Sequence, residues 1–214
     1  RLTWHPGADA VRGFTPDGKN VLFISQRATF TGRYSQLFTV GINGGYPVQL
    51  EIPNAYYASW SPDGTRMAYT PLSPAHAQWK NYRGGTVSTI WLYTMADRSV
   101  IKVPQPRGGC NDTEPMWIGE RIYFLSDRNG EFNLFSCNGS GEDIRQHTSF
   151  TDFPVLNASG TDERIVFEQA GYIHLYDIST GVSSRLRTGI AADLLELRPR
   201  YLQGVNYIRS ANIS

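Results

Sequence analysis

Four side chains in this sequence can act as a base near neutral pH: His5, His76, His147 and His174. Nucleophilic catalysis would need one of them beside a Ser or Cys and held in place by a third group. The sequence has no Gly-x-Ser-x-Gly elbow, and the histidines are scattered along the chain, so no dyad or triad follows from their spacing. Cys110 and Cys137 lie 27 residues apart and have neither the Cys-x-x-Cys nor the Cys/His spacing that zinc requires. They read as free thiols. The chain therefore presents no catalytic residue, no metal ligand set and no cofactor motif of its own.

Residues suited to binding are easier to find. The stretch from Pro71 to Thr86 combines flat aromatics with cations at Trp79, Lys80, Tyr82 and Arg83, a composition enriched where proteins hold peptides or one another. A plainer reading stands beside it: Trp79 and Tyr82 fill a gap between structural units while Gly84-Gly85 turns the chain, as repeat signatures commonly do. A second segment, Arg27 to Arg33, pairs two arginines with Phe30; it is a candidate partner contact and, more simply, a solvated loop. The net charge of +1 gives no concentrated basic face for nucleic acid. No run approaches the ~20 apolar residues of a membrane span, and Arg1-Leu2-Thr3-Trp4-His5-Pro6 has no apolar signal region. Four Asn-x-Ser/Thr triplets carry no weight without a secretory context.

The elements that must position these residues come from an internal repeat. Phe14-Thr15-Pro16-Asp17-Gly18 to Phe23 matches Trp60-Ser61-Pro62-Asp63-Gly64 to Tyr69, and variants recur before Phe124 and Phe167. The spacings between the closing aromatics are 46, 55 and 43 residues, the period of propeller blades. After each motif comes an alternating strand (Gln36 to Val40, Thr89 to Tyr93, Asn133 to Ser136, Tyr172 to Tyr176), then a Gly- or Asn-containing or similarly polar turn, then a more polar outer strand. Pro fixes φ, Asp can bond back to the backbone and Gly accepts the freed position, so turn chemistry suffices for Asp17 and Asp63 without a catalytic role. His147 falls in the outer-strand pattern as a blade cap, and His174 reads as a structural imidazole in an apolar strand.

The fold expected is all-β: a partial β-propeller of about four four-stranded antiparallel blades, of the TolB/WD40-like kind and incomplete at both ends. Blades are expected over residues 9–53, 54–109, 110–152 and 153–193. Residues 1–4 then finish a preceding blade, and 194–214 begin a following one. Such an arc cannot close without strain, so its exposed edges are expected to pair with another copy of the chain or with further blades.

Two segments name a family. Gln78-Trp79-Lys80-Asn81-Tyr82-Arg83-Gly84-Gly85-Thr86 and the run from Arg121 through Asp127-Arg128-Asn129-Gly130 to Arg145-Gln146-His147-Thr148-Ser149-Phe150-Thr151-Asp152 resemble the N-terminal six-bladed propeller of tricorn proteases. The resemblance covers nearly the whole chain. It implies a cytosolic serine peptidase that trims peptides and assembles as a hexamer. In that family propellers screen the active site, and the Ser/His site lies in later domains, so no catalytic residue carries over. The implied partners are peptides, the remaining domains of the peptidase and further copies of the chain, with no cofactor, nucleic acid or membrane. The compartment is the cytoplasm, with the periplasm as the other option. One departure concerns a longer basic loop expected before Val11-Arg12-Gly13-Phe14. Here Trp4-His5-Pro6-Gly7-Ala8-Asp9 is short and has no Arg pair. The alternative is a stand-alone TolB-like propeller that acts through protein contacts alone.

Overall fold

The computed structural model describes residues 1–189, 191, 197–204, 210 and 211. Among them lie four antiparallel sheets of four strands, each strand bonded to its neighbour in sequence. The first blade is β1 (Asp9–Phe14), β2 (Asn20–Ser25), β3 (Gln36–Gly41) and β4 (Val48–Gln49). The second is β5 (Tyr57–Trp60), β6 (Arg66–Thr70), β7 (Trp91–Thr94) and β8 (Val100–Lys102). The third is β9 (Asp112–Ile118), β10 (Arg121–Ser126), β11 (Asn133–Asn138) and β12 (Arg145–Gln146). The fourth is β13 (Val155–Gly160), β14 (Arg164–Gln169), β15 (Tyr172–Asp177) and β16 (Val182–Arg185).

The Pro-Asp-Gly segments make the first turn of their blades for the reason the sequence suggests. Gly18 N–H donates to Thr15 O at 2.8 Å, and Asp17 accepts from Lys19 N at 3.1 Å. In the second blade Gly64 N–H donates to Ser61 O, while Asp63 accepts from Ser61 Oγ and Thr65 N. Gly18 and Gly64 sit at φ 69° and 70°, where a Cβ would be strained. Those hydrogen bonds, from Ser61 first, hold the Asp63 carboxyl down to about 2. Both aspartates are occupied by turn formation.

The core lies between blades. Leu22, Ile24 and Leu37 of the first pack on Met67, Tyr69 and Tyr93 of the second. Ala68 and Leu92 meet Ile122, Phe124 and Phe135 of the third. Tyr123, Leu125 and Leu134 meet Ile165, Phe167 and Tyr176 of the fourth. A middle strand with a neighbour on each side is buried on both faces, as β6 and β10 are; β14 instead alternates exposed and buried, because only the third blade covers it. The other face of β2 is covered locally, by Leu2 over Val21, Phe23, Phe38 and Val40.

Inner-strand contacts run from β1 to β5, β9 and β13 in order, an open arc rather than a closed ring. The six blades that the family resemblance implies are therefore not what these residues form. Four copies of the strand–turn–strand unit yield four blades, and no further strand occurs among the described residues. The following blade expected over residues 194–214 falls largely outside the described residues. At the ends of the arc, Val11 and Phe14 on one side and Leu156, Val166 and Ile173 on the other are exposed.

Candidate functional site

An antiparallel blade sends its second-to-third-strand loop and its link to the next blade out of one rim, and its two hairpin turns out of the opposite rim. All six residues singled out in the sequence lie in second-to-third-strand loops and so gather on one rim: Arg27 and Arg33 after β2, and Trp79, Lys80, Tyr82 and Arg83 after β6.

The longer loop, which includes a 3-10 turn at Ala75–Ala77, is fastened to the third blade. Lys80 Nζ meets Glu131 Oε2 at 2.6 Å, and Arg83 meets the fully buried Asp127 carboxylate at 2.7 Å. Asn111 Nδ2 donates to Tyr82 O at 3.0 Å, and the His76 ring packs 4.7 Å from Phe132. Tyr82 is held by its own loop, accepting from Thr86 Oγ1. Trp79 is 61% exposed and lies 6.2 Å from the Tyr82 ring. Trp79 and Arg33, from two different loops, line one cleft of about 200 Å³ together with Ser73, Gln78 and Thr86.

Arg27 is placed differently from Arg33. It lies largely covered over the Phe23 and Phe38 rings at 5.1 and 5.2 Å, pairs with Asp9 at 2.6 Å and donates to Ser25 Oγ. The third blade repeats the arrangement: Arg128 lies 5.3 Å over both Phe124 and Phe135, pairs with Asp112 at 2.9 Å and donates to Ser126 Oγ. Burial works against ionisation of Asp9, but hydrogen bonds from Thr3, Ser25 and Arg27, with the Arg27 charge, hold its carboxyl below the usual range. Phe-x-Ser-x-Arg occurs in the sequence at Phe23-Ser25-Arg27 and Phe124-Ser126-Arg128, a signal that could have revealed this clamp.

A second feature was not visible in the sequence. The first strands of all four blades wall an axial groove of about 480 Å³, with Arg12, Tyr57, Glu114 and Asn157 reaching it from β1, β5, β9 and β13. Three of these strands bulge at the same level, where the pairing register shifts. Glu114 and Asn157 occupy left-handed backbone conformations at φ 51° and 54°. At this level side chains of one blade tie main-chain groups of the next. Glu114 Oε2 accepts from Ala158 N at 2.8 Å, Ser59 Oγ accepts from Trp117 N at 2.9 Å, and Arg12 Nε donates to Tyr56 O. Burial raises the Glu114 carboxyl, opposed by the Ala158 hydrogen bond and Arg12; burial pushes the Tyr57 phenol to about 12, so it keeps its proton.

Among the described residues one Ser–His contact exists, between Ser136 Oγ and His147 Nε2 at 2.7 Å, with Tyr176 Oη 2.8 Å from Nδ1. Ser136 is fully buried and also accepts from Arg121 Nε at 2.9 Å, so no substrate carbonyl can reach it. His147 joins the third and fourth blades. His174 stacks on Phe167 and meets Phe150 edge-on, a structural imidazole in an aromatic cluster. Among the described residues no three His, Cys, Asp or Glu side chains converge as a metal site, and no helix is long and apolar enough to cross a membrane. Both cysteines are buried free thiols, pushed up to about 12 by burial. Ellman's reagent at pH 8 is thus expected to titrate neither thiol in the folded chain and both after denaturation.

Four antiparallel blades around a polar axial groove define a β-propeller module. Residues 1–182 match the family described as the tricorn protease N-terminal beta propeller domain, and the chain belongs to that family. It is 36% identical over 136 residues to the "Tricorn protease homolog" of Saccharolobus solfataricus, covering 64% of this chain and 12% of that protein. It is 32% identical over 186 residues to "Tricorn protease homolog 1" of Streptomyces coelicolor, covering 86% and 17%. The crystal structure of the tricorn protease superposes with a TM-score of 0.75 at 28% identity, over 86% of this chain and 17% of that one. The chain thus spans less than a fifth of the length of these relatives.

Proposed function

We propose that this chain is a non-catalytic propeller module of a cytoplasmic tricorn-type serine peptidase. It guides peptides along its axial groove to or from a catalytic site carried by other domains, and it supports assembly of the oligomer. The observation that carries the reading is the groove. Its walls offer Arg12, Tyr57, Ser59, Glu114 and Asn157, a mixture of donors and acceptors with one charge of each sign. An extended peptide presents alternating N–H and C=O groups and is matched by such a wall, whereas small-molecule pockets are lined mainly by apolar side chains. Trp79 and Arg33 on the rim are the peptide contacts at one mouth of the path. Family membership and the names of the relatives supply the peptidase context.

The test is obstruction. Ser159 lines the groove, is exposed and makes none of the interblade bonds described above, so Ser159→Trp fills space without removing a tie. In the full-length peptidase that this reading requires, turnover of long peptides is expected to fall roughly tenfold, the scale on which obstructed positioning acts. Turnover of a short chromogenic substrate should stay near wild type. Equal turnover of long peptides by both proteins would remove the groove from the peptide's path.

A further inference from the structure

Among the described residues Glu114 is the one carboxylate in the wall of the axial groove, and its charge is only partly answered. Oε2 accepts from Ala158 N at 2.8 Å, across the joint between the third and fourth blades. Among the described residues Oε1 accepts no hydrogen bond, and the side chain forms no ion pair. Arg12, the cation of the same wall, is held on the first blade, two blades away. Its guanidinium lies 4.9 Å from both the Tyr56 and the Tyr57 ring and donates to Tyr56 O and Val11 O. Burial accordingly raises the Glu114 carboxyl, opposed only by the Ala158 hydrogen bond and by the Arg12 charge from beyond ion-pair distance. A carboxylate so placed lacks a charged donor.

Two further acceptors line the same groove. Tyr57 Oη makes no hydrogen bond among the described residues, and the Glu114 charge adds to burial in raising its phenol, so the two side chains lie within electrostatic reach. Asn157 donates from Nδ2 to Glu168 Oε2 at 3.1 Å, which leaves its Oδ1 without a donor. Glu114 and Asn157 both sit where their strands bulge, at positive φ. A primary ammonium carries one positive charge and three N–H donors, a match for one carboxylate, one phenol and one amide oxygen. A divalent metal ion fits less well: it calls for several carboxylate oxygens, and no three His, Cys, Asp or Glu side chains converge among the described residues.

From this we infer that Glu114, with Tyr57 and Asn157, forms an ammonium-recognition site inside the axial groove, which holds the free amino end of a peptide or a lysine side chain. This rests on the peptide-guiding reading above and adds to it the chemical group that the groove selects. Arg12, two blades away, is left to donate to carbonyl oxygens further along the same peptide.

Calorimetric titration of the full chain at pH 7 tests it with three peptides of one neutral sequence, all amidated at the carboxyl end. The first has a free amino end, the second is acetylated there, and the third is acetylated and carries a single lysine. The first should bind about tenfold more tightly than the second, the scale of one charge-assisted hydrogen bond. Glu114→Gln should abolish that difference, because glutamine keeps an acceptor for Ala158 N and carries no charge. Tyr57→Phe keeps the ring beneath Arg12 and should shrink the difference about threefold, the scale of one neutral hydrogen bond; it decides the matter if Glu114→Gln does not fold. Tight binding of the third peptide shows that lysine side chains are read, and tight binding of the first alone shows that the amino end is. If neither charged peptide binds more tightly than the neutral one, or if Glu114→Gln keeps the preference, the inference is overturned while peptide guidance stands. If no peptide binds, the inference also falls, and the Ser159→Trp comparison decides the groove by itself.

Discussion

Replacing Arg128 with alanine is expected to destabilise the chain by about 3–5 kcal/mol, the scale for removing one partner of a buried ion pair. The Asp112 side chain is fully buried and Arg128 only 9% exposed, so the carboxylate left behind has no solvent to replace its cation. Gln105 Nε2 at 3.3 Å and the Cys110 thiol at 3.4 Å are its remaining neighbours, and neither carries charge. The variant also uncovers the facing rings of Phe124 and Phe135 and frees Ser126 Oγ. For a chain of this length the loss corresponds to a fall in Tm of roughly 10 °C. The matched change Arg27→Ala in the first blade should cost less, about 1–2 kcal/mol, because Arg27 and Asp9 keep 14% and 17% exposure and water screens the orphaned charge. Adding Asp112→Asn to Arg128→Ala should recover part of the loss, since an amide is far cheaper to bury than an unpaired carboxylate. Urea unfolding of the three variants checks this. An Arg128→Ala cost no larger than that of Arg27→Ala would show that burial does not set the strength of the clamp.

That clamp also marks the boundary of what the sequence could tell. Turns were legible because their causes are local: Asp17 bonds Thr15 and Lys19, and Asp63 bonds Ser61 and Thr65, all within two residues. The blade period followed from those turns, as did the four-bladed architecture. Arg27 was harder, because it looks like a loop cation until Asp9 and Phe38 are brought beside it from 18 residues before and 11 after. Lys80 and Arg83 likewise find Glu131 and Asp127 some 51 and 44 residues away. The axial groove left almost no sequence signal. Its bulges place Glu114 and Asn157 at positive φ without a glycine to mark them, and its walls assemble only when four first strands converge. The number of blades was countable from the repeats in the chain, whereas a resemblance to longer proteins suggested six.

Acid should loosen the joint between the third and fourth blades through His147. Its ring lies between Tyr123 and Tyr176, with centroids 5.2 and 5.3 Å away. Arg121 donates to Ser136 Oγ, which leaves the hydroxyl hydrogen to donate to His147 Nε2, and the Nδ1–H tautomer then donates to Tyr176 Oη. Protonation would give Nε2 a hydrogen of its own and place a cation beside Arg121 and Arg145. Burial first, and then those two arginines, push the imidazole down to about 4 from its usual 6.5. The native state consequently binds fewer protons than the unfolded chain between these values. Stability should be level above pH 6.5, fall as pH drops from 6.5 towards 4, and level off again for this group below 4. The fall attributable to His147 should be about 2 kcal/mol once screening of a partly exposed ring is allowed for. His76 and His174 are also lowered by burial and slope the same way, whereas Asp9 and Asp63, held below their usual range, contribute only at lower pH. His147→Phe isolates the term: it keeps the aromatic packing and cannot titrate. Its stability at pH 7 should drop by about 1–2 kcal/mol for the lost hydrogen bonds, and its decline between pH 6.5 and 4 should be shallower than that of the parent chain. Chemical unfolding across that range measures both slopes, and parallel curves for the two proteins would exclude His147 as the acid-sensitive link.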